Sequence, residues 1–319
     1  MSSLVAFGET MLRLSPDPGE RIETATELDF RTAGAESNVA IAASNLGLEA
    51  TWCSKLPDSP LGRRVTREVQ SHGVTTNVTW ANQGRQGTYY IEHGGEPRGT
   101  TVIYDRADAA IRTATPSDLI DGIDLATTDA LYTSGITPAL SDQLRETTAT
   151  LLDRAQQVGV TTVFDLNYRS KLWSPEAARS TCDSLLESVD IAIIAARDAR
   201  IVLGETGSDE AILRELAAAY EPEVAVLTQG SDGAIAIDED SHVHHQPAFE
   251  AETEDPIGTG DAFVGGFLAD YLEGGSVRSA LEYGGATAAL KRTISGDLAV
   301  VTPAAVDGVI DDTAAGIDR

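Results

Sequence analysis

Asp255-Pro-Ile-Gly-Thr-Gly-Asp261 runs directly into Ala262-Phe-Val-Gly-Gly-Phe-Leu268, a polar turn followed by an apolar, small-residue segment. The junction reads as a loop feeding a buried helix that starts near Ala262. Gly258 and Gly260 free the main chain to aim successive N–H groups at one point. The positive end of the helix adds to that field, so the turn suits a phosphate. Asp261 would repel a resting anion there. Its presence makes sense if the carboxylate receives a proton from a hydroxyl that attacks phosphorus, and the helix N-terminus is expected to keep it ionised at neutral pH. Taken alone, Gly-Thr-Gly-Asp is also an ordinary acidic helix start. Two nucleotide alternatives fit less well: no Gly-x-x-x-x-Gly-Lys-Ser/Thr run occurs, and Phe263 stands where a dinucleotide fingerprint needs its third glycine.

These seven residues resemble the Asp-x-x-Gly-Ala-Gly-Asp signature of the ribokinase-like (PfkB) carbohydrate kinases. The resemblance implies that Asp261 is the catalytic base and that the amides of Gly258, Thr259 and Gly260 form the anion hole for the transferred phosphoryl group. Thr259 replaces the usual alanine and is expected to bring a hydroxyl close to that oxyanion.

Upstream, Leu4-Val-Ala-Phe-Gly-Glu9 is a short apolar run of the kind a buried first strand shows. Met11-Leu-Arg-Leu14 and Leu28-Asp-Phe-Arg31 alternate like half-exposed strands, with Pro16, Pro18 and Gly19 at a turn between them. Ala33-Gly-Ala leads into an Ala-rich helix closed by Gly47, whose small residues permit tight packing. Asn38 in its first turn reads either as a cap or as a ligand for a substrate hydroxyl. The family's first motif, Gly-Gly-x-x-x-Asn, matches at Gly34 and Asn38 with Ala33 in place of its first glycine, and implies sugar contacts from both. Gly87–Glu92 and Thr100–Tyr104 flank Gly94-Gly95 as a β-hairpin would. With the strands near residues 11–31 it is expected to form a small sheet over the site, excluding water that competes for the phosphoryl group. Tyr89 and Tyr104 are either packing residues of a surface hairpin or, by the resemblance, substrate contacts on a lid.

From about Thr115 onward, strands near 130–134, 161–165, 190–194, 224–227 and 233–237 alternate with helices near 139–158 and 175–188. The expected fold class is therefore α/β, with a mostly parallel central sheet flanked by helices. The resemblance makes it ribokinase-like, a single kinase domain over residues 1–319 with lid segments at about 10–32 and 84–112. Ligands should sit beyond the carboxyl ends of the strands. Arg169 lies just past one such end, where a planar guanidinium suits a carboxylate or phosphate. Thr228-Gln-Gly-Ser-Asp-Gly233 is a glycine turn past another. By resemblance, Asn167, Thr228, Gly230 and Gly233 lie against the nucleotide; the small residues of Tyr283–Ala289, Gly285 among them, are expected to admit an adenine close to the backbone. Asp198 stands where the family carries Asn-x-x-Glu, which implies a Mg²⁺-placing role with a shorter reach.

The chain carries 50 acids against 23 bases, a formal charge of −27, and only the lysines Lys55, Lys171 and Lys291. That charge disfavours nucleic acid as a partner. Acids scattered among 42% hydrophobic residues argue for a folded protein rather than a disordered acidic one. Dense carboxylates with few lysines resemble proteins of salt-accumulating archaea, where salt screens the repulsion. Cys53 and Cys182 form no metal or redox motif. His242, His244 and His245 are read as residues of a solvated edge strand, not a metal site. No run reaches membrane-spanning length, and a soluble, cytoplasmic homo-oligomer is expected.

Within the family, Gly8-Glu-Thr-Met-Leu-Arg-Leu-Ser15, Ala33-Gly-Ala-Glu-Ser-Asn38, Tyr104-Asp-Arg106, Asn167-Tyr-Arg169 and Ser295-Gly-Asp297 resemble motifs of the 2-keto-3-deoxygluconate kinases. Arg106 and Arg169 are expected to converge on a substrate carboxylate, with Asp297 holding substrate hydroxyls. The implied ligands are ATP, Mg²⁺ and a sugar acid. A neutral-sugar kinase and a non-catalytic sugar or nucleotide sensor are the alternatives.

Overall fold

A computed structural model of the chain describes residues 1–311. Its strands are β1 (Ser3–Phe7), β2 (Met11–Ser15), β3 (Asp29–Ala33), β4 (Glu49–Pro57), β5 (Thr75–Ala81), β6 (Thr88–His93), β7 (Thr100–Asp105), β8 (Ala130–Ser134), β9 (Thr161–Asp165), β10 (Ile191–Ala195), β11 (Val224–Thr228), β12 (Ala234–Ile237) and β13 (Val243–Gln246). Nine of them form one sheet in the order β13-β12-β11-β10-β9-β8-β1-β4-β5, and four form a second in the order β3-β2-β6-β7.

The large sheet is parallel from β5 through β11, and only the β11–β12 and β12–β13 pairings at its edge are antiparallel. Parallel strands joined by helical crossovers are covered on both faces, which is why β8, β10 and β11 are near-continuous apolar runs with almost every residue buried. Full burial of each large apolar side chain there contributes roughly 1.5–3 kcal/mol. All the parallel strands point their carboxyl ends to one side, so the residues after β1, β8, β9, β10 and β11 share one rim.

Two helices complete that rim. The Ala35–Asn45 and Thr259–Leu272 helices pack closely because their contact faces are stripped of bulk: a Cβ on Gly265 would lie 2.5 Å from the Ala42 methyl and 3.0 Å from the Val39 carbonyl oxygen. The small residues therefore serve helix-to-helix contact as well as helix-to-sheet packing. The second helix begins at Thr259, earlier than the apolar run suggests, and this brings Asp261 inside its first turn.

The small sheet draws on two separate chain segments. β2 pairs antiparallel with β3 and parallel with β6, and β6 and β7 are the predicted hairpin. The lone charged residue on the Met11–Arg13–Ser15 face of β2 is Arg13, and it is 4% exposed. At the opposite edge, only β13 carries histidines of the 242–245 cluster, since His242 precedes it. His242 and His244 both lean on Asp238, with His244 Nε2 2.8 Å from its Oδ2, and among the described residues no group of His, Cys, Asp and Glu could hold a metal.

Candidate active site

A cavity of about 750 Å³ lies between the strand carboxyl ends, the two helix N-termini and the inner face of the small sheet. Its floor is Asp261. The Asn38 amide donates to Asp261 Oδ2 at 2.7 Å. Asn38 keeps a weak capping contact as well: Gly34 occupies the N-cap position, and its amide donates to Asn38 Oδ1 at 3.4 Å. Asp261 is also less readily ionised than a helix N-terminus alone implies. Burial pushes it up to about 6, against the Asn38 hydrogen bond and the Arg169 charge, which both favour the carboxylate. At neutral pH the carboxylate is still mostly ionised.

The Asp255–Asp261 loop is held from behind. Gly258 adopts φ 80°, and a Cβ there would lie 2.0 Å from the Asp297 carbonyl oxygen, so only glycine fits. Asp255 accepts from the Ile257 amide with one oxygen and from the Gly296 amide with the other, both at 3.0 Å. The Gly260 amide meets no acceptor among the described residues, and Gly260 lines the cavity. The Thr259 hydroxyl donates to the Pro256 carbonyl at 2.7 Å, and its amide leans 3.4 Å toward the same oxygen. The hydroxyl expected beside an oxyanion instead braces the turn.

Gly34, Asn38, Tyr89, Tyr104, Arg106, Arg169 and Asp297 all line this cavity. Arg169 forms no ion pair among the described residues; its Nη1 only reaches the neighbouring Tyr168 carbonyl at 3.3 Å. Arg106 is buried, donates to Glu9 Oε2 at 2.8 Å and lies 4.8 Å over the Tyr104 ring. Glu9 Oε1 is buried with no partner and borders the same cavity. Asp297 accepts a 2.6 Å bond from Arg13 Nη1, while the Tyr89 hydroxyl stays 3.5 Å from both its oxygens.

Toward the other end, Asn167, Asp198, Thr228 and Gly230 line the cavity. Gly233 and Gly285 do not. A Cβ on Gly233 would strike the Gln246 carbonyl at 2.1 Å, so this glycine seats one edge strand on the next, and Gly285 sits against Phe249. Asp198 accepts 3.2 Å bonds from the Tyr168 amide and from Arg197 Nε. Burial raises its pKa, opposed by Arg197.

Four groups in or beside the site carried no assigned role in the sequence: Glu9, Arg13, Asp165 and Lys291. Asp165 closes β9 on the cavity rim, and burial plus the Asp261 charge push it up to about 8. At neutral pH it keeps its proton while Asp261 gives its own up, a separation that lets two neighbouring acids coexist. Lys291 is fully buried and donates to the Asp255 and Ile294 carbonyls at 3.0 and 3.1 Å. Glu9 and Asp165 were legible by the rule that picked out Arg169, since Asp165 ends one strand that points at the site and Glu9 lies two residues past another.

A glycine turn at a helix N-terminus, a carboxylate held by an asparagine and a roofed polar cavity at the rim of such a sheet fit a kinase of small hydroxylated molecules. The chain belongs to the pfkB family of carbohydrate kinases, whose family model matches residues 1–304. Among its relatives, a 2-dehydro-3-deoxygalactonokinase of Haloferax volcanii is 59% identical over 319 residues, covering 100% of this chain and 99% of that one. A 2-dehydro-3-deoxygluconokinase of Thermoproteus tenax is 30% identical over 303 residues, covering 93% and 90%. The crystal structure of a 2-dehydro-3-deoxygluconokinase from Thermotoga maritima superposes with a TM-score of 0.90 at 30% identity, covering 97% of this chain and 98% of that one.

Proposed function

We propose that the protein transfers the γ-phosphoryl group of ATP to the terminal hydroxyl of a 2-keto-3-deoxy sugar acid, 2-dehydro-3-deoxygalactonate or its gluconate epimer. The observation that carries this reading is Asp261, fixed by Asn38 at the foot of a cavity whose other wall presents the unpaired Arg169. Asp261 takes the proton of the attacking hydroxyl, and the Gly258 and Gly260 amides at the helix N-terminus meet the charge that develops on the phosphoryl oxygens. The small sheet excludes water. The substrate carboxylate meets Arg169, with Arg106 and Tyr104 above it. Asp297 and the protonated Asp165 bond the sugar hydroxyls. Thr228 and Gly230 receive the nucleotide.

The donor set suits a Mg²⁺ held chiefly by phosphates and water, since Asp198 would offer it one carboxylate and no protein cage exists among the described residues. Bound there, the ion neutralises phosphate charge. One observation favours a neutral sugar instead: Arg106 is already neutralised by Glu9.

ATP consumption across a panel of sugars and sugar acids in molar KCl separates the two. The sugar acids should give the highest kcat/KM, and Arg169→Ala should lower it for acids by about tenfold or more while sparing neutral sugars. A neutral hexose outperforming every acid, with Arg169→Ala indifferent to charge, would replace the acid reading.

A further inference from the structure

Arg13 lines no wall of the cavity, yet it is the most connected cation beside it. It belongs to β2 of the small sheet and is buried against the large domain. Nη1 donates to Asp297 Oδ2 at 2.6 Å, and Nη2 lies 3.5 Å from Asp255 Oδ2 and 3.0 Å from His93 Nε2. Its two carboxylate partners flank the phosphate cradle. Asp255 holds the amides of Ile257 and Gly296, and the main chain of Asp297 presses on Gly258 so closely that no side chain fits between them.

We propose that Arg13 is a positioning residue that couples the small sheet to the phosphate cradle, so that Asp297 and the Gly258–Gly260 amides are held in working geometry only while the sheet is seated. The inference rests on the kinase reading above. A flat, forked guanidinium reaches two carboxylates and an imidazole from one strand position, which a point-charged ammonium cannot do. Withdrawing it would leave two carboxylates buried with only Lys291 nearby, a costly state that relaxes by proton uptake or displacement. Either response loosens Asp297 against the sugar and Gly258 beneath the phosphate. Thr228 and Gly230 at the nucleotide end touch none of these groups.

The test compares wild type, R13K, R13Q, D297N and R13Q/D297N in molar KCl, using whichever acceptor the wild type phosphorylates best. R13Q should lower kcat by roughly thirtyfold or more and raise the acceptor KM, with the ATP KM within about twofold of wild type. R13K, which keeps the charge and loses the fork, should fall between. R13Q/D297N should be little worse than the poorer single variant, because both act through one contact. A wild-type kcat in R13Q, equal rises in both KM values, or fully additive losses in the double variant would overturn the proposal. Loss of folding in R13Q moves the decision to R13K: a folded R13K with the same KM split supports the coupling, and an R13K that differs from wild type only in melting temperature assigns Arg13 to stability alone. Failure of the kinase reading is visible separately, in a wild type that phosphorylates no acceptor.

Discussion

Burial and hydrogen bonding pull Asp261 in opposite directions, and the base role proposed for it depends on where they balance. With its pKa at about 6, turnover should rise with pH through that value, because only the carboxylate accepts a proton. Asn38→Ala removes a donor that favours the charged form, so the acid limb of the kcat profile should move to higher pH. A pH–rate series on the two proteins checks this. Asp261→Asn should lower kcat by about a hundredfold or more while ATP binding, read by calorimetry, stays within a few fold. Asp261 was legible because its glycines and helix lie within a few residues of it. Asn38 was not fully legible, since its partner is 223 positions away and a first-turn asparagine looks the same as a cap. Arg13 hid for a related reason: on an alternating strand an arginine reads as solvent-facing unless its distant carboxylates are known.

At the scale of single elements, the Ala35–Asn45 helix carries a buried acid of its own, Glu36. Glu36 Oε1 accepts from the Ser134 amide at 3.2 Å, the Ser134 hydroxyl at 2.7 Å and the Thr137 hydroxyl at 2.8 Å, while Oε2 has no partner. Burial pushes Glu36 up to about 7 despite those bonds. A folded-state pKa above the unfolded value means that its stabilising share is complete below about pH 4.5 and lost as pH rises through about 7, a swing of up to roughly 3 kcal/mol. Glu36→Gln keeps the Oε1 acceptor and removes the titration. Melting temperatures of the variant and the wild type should therefore coincide near pH 4 and diverge progressively up to about pH 7, with the variant higher. The elements themselves were well marked in the sequence. Parallel strands announce themselves as apolar runs, and the hairpin by its alternation around paired glycines. The start of the Thr259–Leu272 helix was set three residues late because Gly-Thr-Gly has poor helix propensity, which the tertiary seat of Gly258 overrides.

For the whole molecule, charge is the governing quantity. A formal −27 on a folded domain stores repulsion that only screening relieves, because the bases are too few to pair it away. The melting temperature should rise steeply between low and molar KCl, by about ten degrees or more, and a flat response would show that the carboxylates carry no such dependence. Among the described residues no helix is long and apolar enough to cross a membrane.

The small sheet has a consequence for how this architecture can vary. Its central seam, β2 beside β6, joins two excursions of the chain that leave the large domain independently, one between β1 and the first helix and the other between β5 and β8. Each excursion by itself is a two-stranded ribbon with a bare inner edge, and a bare edge recruits whatever strand it meets. Deleting either one would not trim the roof; it would convert the survivor into an adhesive flap. Gain or loss of this sheet in a lineage thus calls for paired events at two distant places in the gene, with sticky, aggregation-prone intermediates between them.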